Sequence, residues 1–481
     1  MVSPSLASRP SPLASRLSPL ASCEMMPPML SGIRSELRPM VSLAAPVILA
    51  EIGWTTMGLV DTLMVGPLGP AAIGAVGLGS IVFLAIGIFG MGLLLGLDTL
   101  VAQSYGAGRL DRCEHWLRQG VHLALISAVP FSLLCFGVTA TLPRWGLDAD
   151  VLRLASPYLN VVTLSLAPLL LYAAFRRYLQ AVNAVRPITF ALLSANLVNV
   201  AVNWVLIYGK FGFPALGSTG AAWATVFSRV YMAAVLFVAV REARRGRAAA
   251  EPGPPRVEWA SLRRLLVLGG PAGLQILLEV GVFAAATALA GRLAPASLAA
   301  HQIAMNLWAF VFMVPLGLNA AGAVRVGQAV GRRDREGVWQ SGWTALTLGA
   351  AFTASSAMVF FVAARPLIGA FSRDATVLAI GPSLLAIAGV CLVFDGTQGI
   401  STGILRGLGE TRIPMLVNFA GHWLVGLPLG YAACFWWGWG VQGLWLGLAA
   451  GLTAVGSVLL ATWSRRARKA LPDVPHATPT C

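Results

Sequence analysis

Apolar stretches of about 20 residues recur along this chain, the length a helix needs to cross about 30 Å of hydrocarbon at 1.5 Å per residue. Twelve are legible, near residues 41–65, 71–100, 119–142, 156–179, 187–209, 217–240, 264–290, 296–323, 338–364, 377–404, 412–436 and 439–463. They are continuous apolar runs rather than the ~10-residue alternating segments of a membrane barrel, so helices are expected. Composition agrees, because a chain 57% apolar and only 11% charged carries more apolar surface than a water-soluble fold can bury. The expected fold class is an all-α polytopic membrane protein of twelve transmembrane helices, with the lipid bilayer as its first partner.

A net charge of +15 raises the question of nucleic acid, but the basic residues form no folded basic domain with stacking aromatics, so no nucleic-acid partner is expected. They follow membrane topology instead. With a cytoplasmic N-terminus, the inside loops take 24 basic residues, among them Arg109, Arg112, Arg176, Arg177, Arg263, Arg264, Arg332, Arg333 and Arg406; the outside loops take only Arg144, Arg153, Lys210, Arg292, Arg365 and Arg373. By the positive-inside rule, both termini face the cytoplasm of a bacterial inner membrane. The cysteines (Cys23, Cys113, Cys135, Cys391, Cys434 and Cys481) have no paired spacing, so neither a disulfide framework nor a metal site is expected. The near-repeat SPLASRLSPLAS at the N-terminus lacks the apolar core of a signal peptide and reads as part of a disordered tail, with Met25 or Met26 as an alternative start.

The polar stretch from Val240 to Arg264, with EPGPP at 251–255, reads as a linker between two similar halves. Shifting the chain by 225 positions aligns Pro46 with Pro271, Thr62 with Thr287, Gly66 with Gly291, Pro70 with Pro295, Gly92 with Gly317, Gln103 with Gln328 and Gly106 with Gly331. The shared register of turn and packing residues marks an internal repeat. Six crossings return a chain to its starting side, so both halves keep one orientation, related by an axis along the membrane normal. The expected organisation is a disordered tail (1–37), an N-lobe (38–240), a cytoplasmic linker (241–263), a C-lobe (264–464) and a cytoplasmic tail (465–481).

A carboxylate in mid-span costs ~2.5 kcal/mol or more on insertion scales, which singles out five acids. Glu279 and Asp395 stand in the middle of the seventh and tenth spans, Asp61 and Glu51 in the first, and Asp98 near the end of the second. Glu279, Asp395 and Asp61 are the candidate cation-coupling residues, because a desolvated carboxyl group can exchange protons near neutral pH and, ionised, is a hard oxygen ligand for sodium. Asn196, Asn199 and Asn203 lie at i, i+3 and i+7 on one face of the fifth span, and Gln398 and Thr402 share the Asp395 face. These amides either support the acids or glue helices together. Asp98 reads as an interfacial or capping residue, and Glu51 does not share the Asp61 face. Phe283, Trp308, Phe312, Phe394 and Trp423 could stack on a flat cation, although aromatics in spans more often pack or face lipid.

Six segments carry a family resemblance: GLVDTLMVG around Asp61, DTLVAQSYGAG at 98–108, ANLVNVAVNWVLIYGKFG at 195–212, EVGVF from Glu279, AAHQIAMN at 299–306 and RVGQAVG at 325–331. Over about residues 38–465 the chain resembles the MATE (multidrug and toxic compound extrusion) transporters, NorM-like branch. The resemblance implies a V-shaped pair of six-helix lobes that exports small organic cations, often aromatic, against H+ or Na+, with no cofactor, no enzymatic activity and no obligate protein partner. It places the N-lobe acid on Asp61 and the C-lobe cation pair on Glu279 and Asp395. Asn203 stands where the DinF-like branch has Asp, and Cys391 where some sodium-coupled members have Tyr.

Two rival readings differ in the charges they need. A lipid-linked or polysaccharide flippase of the same broader superfamily should carry a basic cavity for phosphate, whereas the mid-span charges here are mainly acidic, with Arg229 the exception. A membrane-embedded enzyme would need a catalytic cluster. His115, His122, His301, His422 and His476 lack metal-binding spacing, and no GxxxxGK[ST] motif for ATP occurs.

Overall fold

The computed structural model describes residues 29–245 and 256–469. Eleven long apolar helices and one bent pair make twelve spans: α1 (Ser35–Leu68), α2 (Pro70–Gly106), α3 (Leu110–Arg144), α4 (Ala149–Thr163 with Leu166–Ala181), α5 (Arg186–Tyr208), α6 (Ser218–Arg245), α7 (Trp259–Ala290), α8 (Pro295–Arg332), α9 (Arg335–Val362), α10 (Ala375–Leu408), α11 (Arg412–Trp436) and α12 (Gly440–Lys469). A short helix, Ala364–Phe371, follows α9. The helix that carries α1 begins at Met29, so residues 29–37, assigned above to the tail, are helical; the anchor is Glu36, which binds Arg325 of α8. Similarly α6 runs on to Arg245 and α7 starts at Trp259. The rest of the expected tails and the centre of the linker, at 1–28, 246–255 and 470–481, lie outside the described residues.

Two spans depart from the straight helices that hydropathy suggests. Chain direction changes by 45° within α4, where Pro168 offers no N–H to the Leu164 carbonyl and its ring crowds that oxygen. The freed turn closes instead through Leu164 N–H to Val161 O (3.0 Å) and Ser165 N–H to Val162 O (3.0 Å). In α11 the backbone widens into π-helical turns at Ala420–Gly426 and Ala432–Trp436. Pro428 withholds the N–H due to Leu424, and a Cβ on Gly426 would meet the backbone of α12 at Gly447 and Gly451.

The repeat appears in the packing between the lobes. A Cβ at Gly106 would strike the Gln328 carbonyl, and one at Gly331 would strike the Gln103 carbonyl; Gly92 abuts Gly273, and Gly317 abuts Ile48. Each contact maps onto its partner under the 225-residue shift, the signature of a twofold axis through the α2/α8 contact. Pro70 and Pro295 likewise occupy first-turn positions of α2 and α8, where a missing N–H costs nothing.

These inter-lobe contacts lie toward one face of the bilayer, the terminal face, where α1 begins and α12 ends. One of them, the Thr55 hydroxyl toward Met313 Sδ (3.8 Å), reaches the middle of α1 and α8. Core packing follows the same division. One apolar cluster runs from the N-lobe through the contact into Leu318, Val326, Ile404 and Trp463 of the C-lobe. A separate cluster, including Val282, Ala304, Leu384 and Leu448, fills the other half of the C-lobe. The lobes are thus joined at the terminal face and part toward the other.

Three arginines assigned above to inside loops lie within the bundle, Arg176 and Arg406 buried and Arg177 half-buried. Arg176 pairs with Glu51 inside the N-lobe, while Arg177 and Arg406 both approach Asp98. Asp98 is therefore neither solvated nor a cap. Charges at this depth are retained because each finds an opposite charge, since lipid supplies none.

Replacing Gly331 by Ala should cost ~1–3 kcal/mol through overpacking against α2, seen as a lower melting temperature in detergent, whereas Gly77→Ala, with open space around its Cβ, should leave it unchanged. Glu51→Gln should strand the Arg176 charge at a cost of roughly 3–5 kcal/mol. Adding Arg176→Gln should recover most of that loss, and a double variant no more stable than Glu51→Gln would show that the pair does not act as a unit.

Candidate functional site

Each lobe holds one buried acidic centre. In the N-lobe, Asp61 of α1 is 8% exposed and both its oxygens are engaged. Asn203 Nδ2 of α5 donates to Oδ1 at 2.6 Å, and the Thr225 hydroxyl of α6 donates to Oδ2 at 3.2 Å. Asn203 also donates to Asn199 Oδ1 at 3.0 Å, so two of the three asparagines reach the acid. Asn196 does not. Its amide donates to the carbonyls of Gly53 (3.0 Å) and Leu192 (2.9 Å), because i+7 spacing puts Asn196 two turns below Asn203 and opposite a different turn of α1.

One turn beyond Thr225 on α6 is Arg229, whose guanidinium lies 4.3 Å from the Phe83 ring centroid and donates to the Ser165 hydroxyl at the α4 bend. Thr225 escaped sequence reading because a hydroxyl in a span usually bonds its own helix, as Thr225 also does to Ala221 O at 3.1 Å.

The C-lobe centre is built differently. Asp395 of α10 is 0% exposed, and neither of its carboxylate oxygens has a hydrogen-bond partner among the described residues. Its neighbour Gln398 is equally buried, with both amide atoms unpartnered. Glu279 of α7 is close enough for its charge to act on Asp395, and Gln275 stands one turn before it on the same helix. Gln275 in turn donates to the Thr402 hydroxyl (3.3 Å), which ties α7 to α10. Buried polar atoms without partners are scarce in folded proteins and are explained where a ligand serves them. Four of them lie on adjacent turns of α10, whereas the Asp61 oxygens are both engaged.

Aromatic side chains border the same centre. Phe283, one turn beyond Glu279, packs against Trp308 with centroids 4.7 Å apart, and Trp308 stacks on Phe312 at 5.5 Å. Trp423 donates its indole N–H to the Leu278 carbonyl at 3.0 Å, which fixes α11 against α7. Phe394 belongs to the same apolar cluster, but its carbonyl backs onto Gly456 of α12. His422, read above only as a failed metal ligand, turns its ring edge toward Phe283 (6.5 Å); its Nδ1 pairs with Asn418 O (3.0 Å) and its buried Nε2 has no partner. It sits on the first π-helical turn of α11, a feature hydropathy does not report.

The MatE family model matches the chain twice, over residues 46–205 and 271–432, beginning at the same proline pair that sets the repeat. A "probable multidrug resistance protein NorM" of Mesorhizobium japonicum is 35% identical over 447 residues, spanning 91% of this chain and 96% of that protein. Its counterpart of the same description in Burkholderia mallei is 36% identical over 437 residues, covering 88% and 90%. Among solved structures, the eukaryotic MATE transporter AtDTX14 superposes with a TM-score of 0.80 at 22% identity, covering 91% of this chain and 99% of that one. An outward-facing MATE family multidrug resistance transporter gives 0.82 at 19% identity, covering 92% and 99%. With both halves matched and relatives aligned over nearly their full length, this chain belongs to the MatE family of membrane transporters.

Proposed function

We propose that the chain is a secondary active exporter of small organic cations, driven by inward movement of H+ or Na+ through the C-lobe pair Glu279 and Asp395. The observation that carries this reading is the Asp395 carboxylate, fully buried with both oxygens free of hydrogen-bond partners among the described residues. A proton or a sodium ion answers that demand, since carboxylate and amide oxygens are hard ligands and Gln398 Oε1 stands on the same helix face. The aromatic wall of Phe283, Trp308 and Phe312 offers ring faces to a flat cation. The relatives' description as multidrug resistance proteins supports a broad substrate range.

The membrane is proposed to be the bacterial inner membrane, with the terminal face cytoplasmic. The excess of basic residues on that face survives removal of Arg176, Arg177 and Arg406 from the loops. In that orientation the lobes are closed toward the cytoplasm and parted outward. Binding of the coupling ion to Glu279 and Asp395 from outside then cancels the negative charge that holds the organic cation. The two ligands compete, and linkage makes the competition reciprocal. Asp61 serves as a second cation-coupling position, its charge held by Asn203 and Thr225 until a cation replaces them.

Efflux of a fluorescent organic cation from proteoliposomes, with proton and sodium gradients imposed separately, tests the reading. One gradient should accelerate efflux, and Asp395→Asn or Glu279→Gln should abolish that acceleration while insertion stays intact; coupled efflux in Asp395→Asn would overturn the site. Asn203→Leu removes one donor from Asp61, a loss of ~1–3 kcal/mol to the carboxylate. It should lower transport several-fold and leave the ion dependence in place, which initial rates against ion concentration will show.

A further inference from the structure

Asp98 takes no part in either acidic centre, yet it is among the most buried charges in the protein, at 1% exposure. Its Oδ2 lies 3.5 Å from Arg177 Nη1 of α4, in its own lobe, and 3.4 Å from Arg406 Nε of α10, in the other. Arg176, beside them, is matched by Glu51. Arg177 and Arg406 therefore share a single carboxylate, and the junction carries more positive than negative charge.

Arg406, 4% exposed, faces Asp98 through its Nε as an ion pair rather than a hydrogen bond, and the rest of the residue is held by both lobes. Its Nη2 donates to Asn319 Oδ1 (2.8 Å), its carbonyl accepts from the Thr99 hydroxyl (2.6 Å), and the next carbonyl, of Gly407, accepts from Gln103 Nε2 (3.1 Å). Asn319 also donates to the Gly399 carbonyl, one turn beyond Asp395. The helix that carries Asp395 is thus the helix that Asp98 ties to the N-lobe.

We propose that Asp98 is a positioning residue of the transport cycle, holding the like-charged Arg177 and Arg406 together across the lobes and so stabilising the conformer closed at the terminal face. Opening at that face separates Arg406 from Asp98, while Arg177 remains with Asp98 inside the N-lobe. This rests on the alternating-access reading above. The shared carboxylate imposes a particular order of effects. Removing Asp98 leaves the buried Arg406 and the half-buried Arg177 guanidinium groups repelling each other in the closed conformer, where the low dielectric magnifies the repulsion. Removing Arg406 leaves the Asp98–Arg177 pair whole and loses only the tie between lobes. Asp98→Asn must therefore open the terminal face more than Arg406→Gln, and Asp98→Asn/Arg406→Gln must open it less than Asp98→Asn alone.

The experiment is spin-label distance measurement on the full chain in nanodiscs. Labels go at Arg109→Cys and Arg333→Cys, exposed positions on the two lobes at that face, with the native cysteines replaced. Asp98→Asn should raise the ratio of long- to short-distance populations roughly a hundredfold, the low end of what a buried charge costs when it loses its partner; Arg406→Gln should raise it less, the double variant should fall back toward wild type, and Asp98→Glu should match wild type. In efflux assays Asp98→Asn should change the maximal rate with little change in substrate KM. Failure of the double variant to recover what Asp98→Asn loses, whether in folding or in closure, overturns the proposal. The distances are read without any ion gradient, so uncoupled efflux in wild type would remove the transport reading and leave the order of effects standing by itself.

Discussion

Hydrocarbon offers no hydrogen bond and no counter-charge, and the architecture of this protein follows from that. Backbone groups must be satisfied within each segment, so every span is a helix, and places where the helical ladder fails are managed by the protein itself. At Ser165 the ladder tightens and the buried hydroxyl accepts from Arg229. On α11 it widens, and glycines of α12 close in on the widened backbone. Charged groups obey the same rule. Glu51 has Arg176, Glu36 has Arg325 through contacts of 2.7 and 3.0 Å, and Asp98 has two arginines.

Against that background the C-lobe centre stands apart. Asp395 and Gln398 are as buried as any group in the protein and have no hydrogen-bond partner among the described residues, whereas Asp61 is fully engaged by neutral donors. Two lobes of common descent in sequence have therefore arrived at unlike acidic centres. A site whose demand for a partner is unmet inside the protein responds to an ion from outside; a site already bonded responds only if the ion outcompetes its donors. The physical asymmetry between lobes is a matter of hydrogen-bond accounting rather than of which acids are present.

The contact between lobes has the opposite character. It is built from glycine against backbone, Gly106 and Gly331 facing Gln328 and Gln103 across the axis, and such surfaces fit only in one register. Close packing of this kind favours two discrete arrangements over a continuum, because a small slide already loses the fit. Buried ion pairs at the same junction add specificity to that fit, since each pair has one geometry in which both charges are compensated.

The sequence by itself determined the number of spans, their orientation relative to one another, the twofold repeat and the short list of acids. Each of these follows from a local quantity: the length of an apolar run, the parity of crossings, the register of Gly and Pro, and the scarcity of carboxylates in lipid. Only the tertiary structure decided which charge meets which. Arg176 and Arg177 sit at the end of an apolar run and read as loop residues, yet their partners Glu51 and Asp98 lie 125 and 79 residues away. Three asparagines on one face of α5 read alike, and only the height of α1 against α5 sends Asn203 to Asp61 and Asn196 to the Gly53 carbonyl. Pairing across helices depends on how deep each helix sits and how it is rotated, and those follow from the packing of all twelve together.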